Sequence, residues 1–403
     1  MSPRKLVKNL TLLLVLILLA LPLVGQEGGE EDPLLTAFLE NFNRANDETK
    51  LDILRDSVNY EPQAMGPLYA EAVLYAVNSS DQLPVNTDLQ AVALLAVQLA
   101  GLSGYSPAAN PLWELFNAYP ETGVRVAVLD ALKADALGND RTFQLLNRWM
   151  ERQISVFRAG SGINTQVIAE AVLTLGSFND PRAFPNLLSV SVLGLSQEIS
   201  SRAETAMGTI EGDYAAMVTE VIEDYPPPEK LVALRSAVDR EGMSSEEKAG
   251  VCIAALRVGN GLALSDPGGA AQVRDMRIIA ARTLRSLNWA EAVGELIEHF
   301  DLCILEYDRG LGTKSALLEA IAALGSTGTR EAAVRLALYL DVINSFVESN
   351  QGYDEQITLA VVRNLGQLRS KAGLNALLYL GYLDYSKTIR DAAAEARRAI
   401  LGQ

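Results

Sequence analysis

His299, the chain's one histidine, stands in "GELIEHFDLC" with Glu295 four residues before it and Glu298 beside it. Imidazole and carboxylates at that spacing are raw material for a zinc site or for general base catalysis. A zinc site wants three or four protein donors, and no second histidine exists to help complete one. A Ser/His/Asp relay would also rest entirely on His299, with no nucleophile placed against it. The residue is therefore expected to be structural or at the surface, and no metal is expected. The stretch "DRGLGTKSALLEA" (308–320) carries glycines and a lysine, as a phosphate loop does. That loop needs glycine directly before Lys-Ser/Thr and a strand in front of it, so that backbone N–H groups can wrap the phosphates. Here Thr313 intervenes before Lys314 and the preceding pattern is helical, which predicts a turn entering the next helix. "GNGLAL" fails as a dinucleotide fingerprint for similar reasons. Asp354 and Glu355 sit together at a predicted helix start, where carboxylates complement the positive end of the helix dipole. These patterns imply no cofactor and no catalysis; an enzyme of lyase or hydrolase type is the alternative they leave.

Cys252 in "AGVCIAALRV" and Cys303 in "HFDLCILEY" both fall on apolar helical patterns. They are expected to be buried thiols rather than a disulfide. Aromatic residues beside polar ones recur instead in the loops that follow the second helices of a repeating unit: Tyr307, Asp308 and Arg309; Phe346, Asn350 and Tyr353; Tyr382 and Tyr385. Aromatics and arginine are favoured at interfaces, so these eight residues form the candidate partner-binding strip. The competing reading is that the rings pack over helix ends.

The elements that would position such a strip are legible in the repeats. "EAVGELIEHF", "EAAVRLALYL" and "KAGLNALLYL" begin at Glu291, Glu331 and Lys371, at a constant interval. Each follows another apolar helical phrase: "MRIIAARTLRSL", "SALLEAIAALGS" and "QITLAVVRNLGQL". A period near forty with two helices per unit marks an α-solenoid, in which a unit buries its apolar face only against its neighbours. Ile357, Ala360, Val361, Asn364 and Leu365 follow helical spacing, and strand patterns are absent. The apolar arc of "VRLALYLDVI" is wider than one stripe, which is expected of a helix touching both its hairpin partner and the flanking units. In "GSFNDPRAFPNLL" (176–188), Gly176 is expected to stop a helix, with Asp180 as N-cap and Pro181 at the first helical position. Pro185 delays the second helix by a few residues. "YPPPEK" (225–230) must interrupt helix, and "RVGNGLALSDPGGAAQ" (257–272) reads as a glycine-rich insertion.

"DPRAFPNLL", "GVRVAVLDAL" and "TIRDAAAEARRAI" resemble HEAT repeats, of the short variety also found in phycobilisome lyase proteins. The resemblance covers about residues 120–210 and 270–401. It implies an all-α, armadillo-like right-handed superhelix of stacked helix pairs, used mostly to hold other macromolecules.

Fifty acidic against thirty-four basic residues leave a net charge of −16, which repels nucleic-acid phosphates and anionic lipid. No basic patch offsets this outside the first eight residues, so no nucleic-acid partner is expected. Residues 1–26 have the form of a signal peptide: Arg4, Lys5 and Lys8, an apolar centre over 10–20, and small residues near Gly25. The apolar stretch is short for a membrane span. The expected organisation is a signal peptide over 1–26 and HEAT-like repeats over 27–224, continued without a break over 225–403. The whole is expected to be a periplasmic or secreted scaffold or adaptor that binds protein. With an uncleaved leader the chain would instead be a membrane-tethered subunit of an envelope complex.

Overall fold

Apolar residues at helical spacing run through most of this chain, and in the computed structural model, which describes residues 32–134, 139–263 and 265–402, they form helices throughout. The leader expected over 1–26 lies outside the described residues. Among these residues there are twenty α-helices, four short 3-10 turns and no strand. The chain divides into two compact units, Met1–Thr142 and Phe143–Gln403. The subdivision expected near residue 225 falls inside the second.

The first unit contains α1 (Pro33–Arg44), α2 (Asp47–Ser57), α3 (Pro62–Asn78), α4 (Thr87–Ser103), α5 (Ala109–Ala118) and α6 (Thr122–Ala134). The second takes most of α7 (Asp140–Arg158), then α8 (Thr165–Ser177), α9 (Phe184–Val192), α10 (Gln197–Thr209), α11 (Tyr214–Asp224), α12 (Pro227–Asp239) and α13 (Ser245–Gly261). It continues with α14 (Pro267–Leu287), α15 (Val293–Asp308), α16 (Lys314–Ser326), α17 (Arg330–Glu348), α18 (Glu355–Leu368), α19 (Leu374–Leu380) and α20 (Lys387–Leu401).

Many helices touch the next in sequence, and next-but-one contacts recur within each unit. In the first unit α1 packs on α3, α3 on α5, α2 on α4 and α4 on α6. In the second, α9, α11, α13, α15, α17 and α19 form one row by successive contact. A second row runs α12, α14, α16, α18 and α20. The core lies between the rows, where Leu317, Ile321 and Leu324 of α16 and Leu336 and Leu340 of α17 are all fully buried. Each such side chain stabilises the fold by roughly 1.5–3 kcal/mol relative to exposure.

Three local devices recur. A residue in the left-handed region, Gly104, Asn179, Asn288 or Arg369, stands two positions before each 3-10 turn and reverses the chain between helices. Second, the fourth residue of a helix reaches back to carbonyls at the end of the preceding one. Lys50 Nζ donates to Phe42 O at 2.6 Å and Ala45 O at 2.7 Å. Lys230 Nζ donates to Ile222 O and to Glu223 O, the latter at 2.8 Å, while Lys248 Nζ donates to Val238 O at 2.7 Å and Arg125 Nε to Phe116 O at 2.9 Å. These donors satisfy carbonyls that a helix end leaves without an internal partner. Third, glycines let neighbours in the same row approach closely: a Cβ on Gly101, Gly176 or Gly366 would fall 2.8–2.9 Å from Ala131, Ala206 or Ala396.

Gly176 is thus a contact point and not a helix stop, since α8 runs on to Ser177 and Asn179 takes the left-handed position. Asp180 caps the 3-10 turn by accepting from Arg182 N at 2.9 Å, and α9 starts at Phe184 with Pro185 in its first turn, where a missing N–H leaves no bond unmade. The proline stretch at 225–230 breaks the helix only at Tyr225 and Pro226. The expected glycine-rich insertion is mostly helical: α13 continues to Gly261, and α14 starts at Pro267 behind the N-cap Asp266.

Candidate interaction cleft

The last turn of α15, one face of α17 and the start of α18 enclose a cleft of about 320 Å3. α15 contributes Ile304, Tyr307 and Asp308. α17 contributes Arg335, Tyr339, Val342 and Phe346, spaced so that they lie along one helix face. Tyr353 and Asp354 come from the entry to α18. Four of the eight residues expected to contact a partner, Tyr307, Asp308, Phe346 and Tyr353, are therefore brought together.

The turns explain how. Gly310, at φ 71°, reverses the chain after α15, with Leu311 N donating to Glu306 O at 2.8 Å. Asn350, at φ 58°, does the same after α17, with Gln351 N donating to Phe346 O at 2.8 Å. Asp354 is the N-cap of α18 and accepts from Gln356 N at 3.0 Å and Ile357 N at 3.1 Å. Lys314, first residue of α16, pairs with the same carboxylate at 2.6 Å. Burial alone would raise the Asp354 pKa, but the Lys314 ammonium and these two amides outweigh it and hold the carboxyl below its usual range.

The cleft's polar groups differ in what engages them. Arg335 pairs with Asp301 and lies over the Phe300 ring, 5.0 Å from its centroid. Tyr339 meets Phe300 edge-on at 5.3 Å, and its phenol is pushed up to about 12 by burial first, then by Asp308 and Tyr307. Tyr353 accepts from Ser386 N at 3.0 Å. The exposed Asp308 carboxylate has no hydrogen-bond or ion-pair partner among the described residues.

The remaining expected residues lie elsewhere. Tyr385 is only 2% exposed: its ring packs edge-on against Tyr353 at 4.7 Å and its hydroxyl donates to Asn344 Oδ1 at 2.8 Å. It is a core side chain that backs the cleft wall. Burial, then Tyr353, raises its pKa. Asn350 serves the turn after α17. Arg309 caps α15 through its backbone N–H, which donates to Leu305 O at 3.2 Å. Tyr382 is 79% exposed beyond α19, outside the cleft. Sequence reasoning missed Arg335, Tyr339 and Val342, although their helical spacing with Phe346 was readable.

His299 and Cys303 meet in the core of the second unit, with Sγ 3.6 Å from Nε2 and 3.8 Å from Nδ1. Burial and then Arg277 push the imidazole down to about 3, while burial pushes the Cys303 thiol up to about 12. A thiolate–imidazolium pair needs the opposite shifts, so the contact does not make an activated nucleophile. Cys252 is likewise a buried free thiol, pushed up to about 12 by burial. Among the described residues no group of three or more His, Cys, Asp or Glu side chains is arranged to hold a metal ion, and no helix is long and apolar enough to cross a membrane. The chain matches no protein-family model, and no curated protein matches it.

Proposed function

We propose that the chain is an exported, non-catalytic scaffold that binds protein, acting in the periplasm or outside the cell, with its helix pairs stacked as a HEAT-like α-solenoid. The cleft between α15, α17 and α18 is its docking point. The observation that carries this reading is the convergence of Tyr307, Tyr339, Phe346 and Tyr353 with an unpaired carboxylate, Asp308, in one concave site. Aromatic side chains supply large contact areas at low conformational cost, and a charged group fixes orientation. The next-but-one contacts of both units support the repeat reading, because each helix completes the interior of its neighbours.

Affinity capture from the native envelope, with and without crosslinking, tests the reading. The double variant Tyr307→Ala/Phe346→Ala is expected to recover the principal bound protein at least about tenfold less well than the parent chain, in line with the loss of two interface anchors. Equal recovery by the two chains would remove the cleft from the docking role.

A further inference from the structure

The helix that forms one wall of the cleft carries more apolar surface than packing uses. Val334, Leu338, Val342 and Phe346 recur every four residues along α17 and are 39–56% exposed. They make a stripe about 18 Å long, given the rise of an α-helix. Its last two members, Val342 and Phe346, are also cleft residues, so stripe and cleft form one continuous surface.

Charge is unevenly placed along it. At the start of α17, Arg330 and Glu331 offset each other. Arg335 is engaged by Asp301. Beyond it the helix bears only Asp341 and Glu348, and the cleft adds Asp308 and the Lys314-paired Asp354. α15 and α17 also end at this place, and helix C-termini carry partial negative charge. Asp308, as the last residue of α15, adds a full negative charge at the end where the dipole disfavours one. A cation bound there relieves that repulsion, beside the Tyr307 and Tyr339 rings that line the same cleft.

We infer that the stripe and the cleft together form a docking track for a basic amphipathic helix of a partner protein, its apolar face on Val334, Leu338 and Val342 and a lysine or arginine in the cleft against Asp308. This rests on the protein-binding reading above and names the chemistry of the partner. A helix of about three to four turns matches the stripe in length and periodicity, presenting its own apolar residues at three- and four-residue spacing. A lipid surface fits less well, because the acidic end of the track and the net charge of −16 oppose anionic headgroups.

The test uses a fluorescein-labelled synthetic helix of about fourteen residues, with a leucine stripe and arginines clustered at one end. Fluorescence anisotropy with the full chain is expected to show binding that Leu338→Asp weakens at least tenfold and Asp308→Lys at least tenfold. A peptide with glutamates in place of the arginines should bind the parent chain poorly and gain affinity for Asp308→Lys. Both substitutions lie on exposed side chains, and unchanged thermal melts would show that the variants remain folded. Equal binding of arginine- and glutamate-ended peptides, insensitivity to Leu338→Asp, or no binding of either peptide overturns the inference. Co-sedimentation with phosphatidylglycerol-containing vesicles that Leu338→Asp abolishes would assign the stripe to a membrane and overturn it too. If the peptide tests fail while Tyr307→Ala/Phe346→Ala still loses the captured protein, the scaffold reading stands and only the helix-docking inference falls.

Discussion

His299 and Arg277 lie next to each other in the core, and only Arg277 keeps its charge partner, Glu306. Room for the Arg277 stem comes from Gly259, where a Cβ would fall 2.7 Å from Arg277 Cγ. Arg277 Nε and Nη1 have no hydrogen-bond partner, so a second positive charge on His299 would be costly. The imidazole therefore stays neutral down to about pH 3 in the folded chain, whereas in the unfolded chain it takes a proton near its ordinary value of 6.5. Between those values the unfolded state binds a proton that the folded state refuses, so stability is present above pH 6.5 and is lost as pH falls through the window. Urea midpoints measured from pH 7 to 4 should fall less steeply for His299→Gln than for the parent chain; equal slopes would mean that the imidazole is not the group responsible.

Two devices set how helices join. The fourth-residue donors hold the end of one helix to the start of the next, and Lys230, 5% exposed, is one of the two deeply buried examples with Lys50. Burial lowers its pKa, and Asp224 and Glu223 oppose that shift. Lys230→Met would leave the carbonyls of Ile222 and Glu223 without their donor, and should cost about 1–3 kcal/mol in urea unfolding. Lys387→Met is the control: that lysine pairs with Asp391 at the surface, and its loss should change stability by less than about 0.5 kcal/mol. The glycine–alanine contacts set how closely helices in one row approach. Gly366→Val must displace the Ala396 backbone, 2.9 Å from a Cβ at that site, and is expected to destabilise by about 1–3 kcal/mol in the same assay. Gly294, where a Cβ would meet nothing, should tolerate alanine without overpacking.

At the scale of the molecule, the decisive property is that, within each of the two units, the contacts between described helices are local in the order of elements. α20 rests on α18 and α19, and makes no substantial contact with α12 or α14. In the stacked repeats proposed above, stability would be nearly a sum of units and nearest-neighbour interfaces. A chain ending after Ser370, without α19 and α20, should keep hydrogen-exchange protection in α11–α14 and lose it in α17 and α18, whose neighbours are gone. Loss of protection throughout would show a single closed core and contradict the stacked-repeat reading.

The sequence by itself determined that the described chain is helical and placed some of its boundaries, such as the N-cap Asp354 and the break within 225–230. Apolar periodicity, N-caps such as Asp354 and proline stretches such as that at 225–230 act over a few neighbouring residues, so a short window contains the whole cause. It also supplied four of the cleft residues, although Tyr307, Asp308 and Phe346 were expected in loops and stand in the last turns of α15 and α17, with only Tyr353 in a connection. Only the tertiary structure decided that Tyr385 is a wall and Tyr382 is free, that Gly176 is a contact, and that part of the wide apolar arc of α17 is left in solvent. The wide arc was expected to be consumed by packing, and Leu338 shows that it is not. The reason is physical: burial depends on which side chains thirty or forty positions away come to lie against a residue, and no window around that residue contains them.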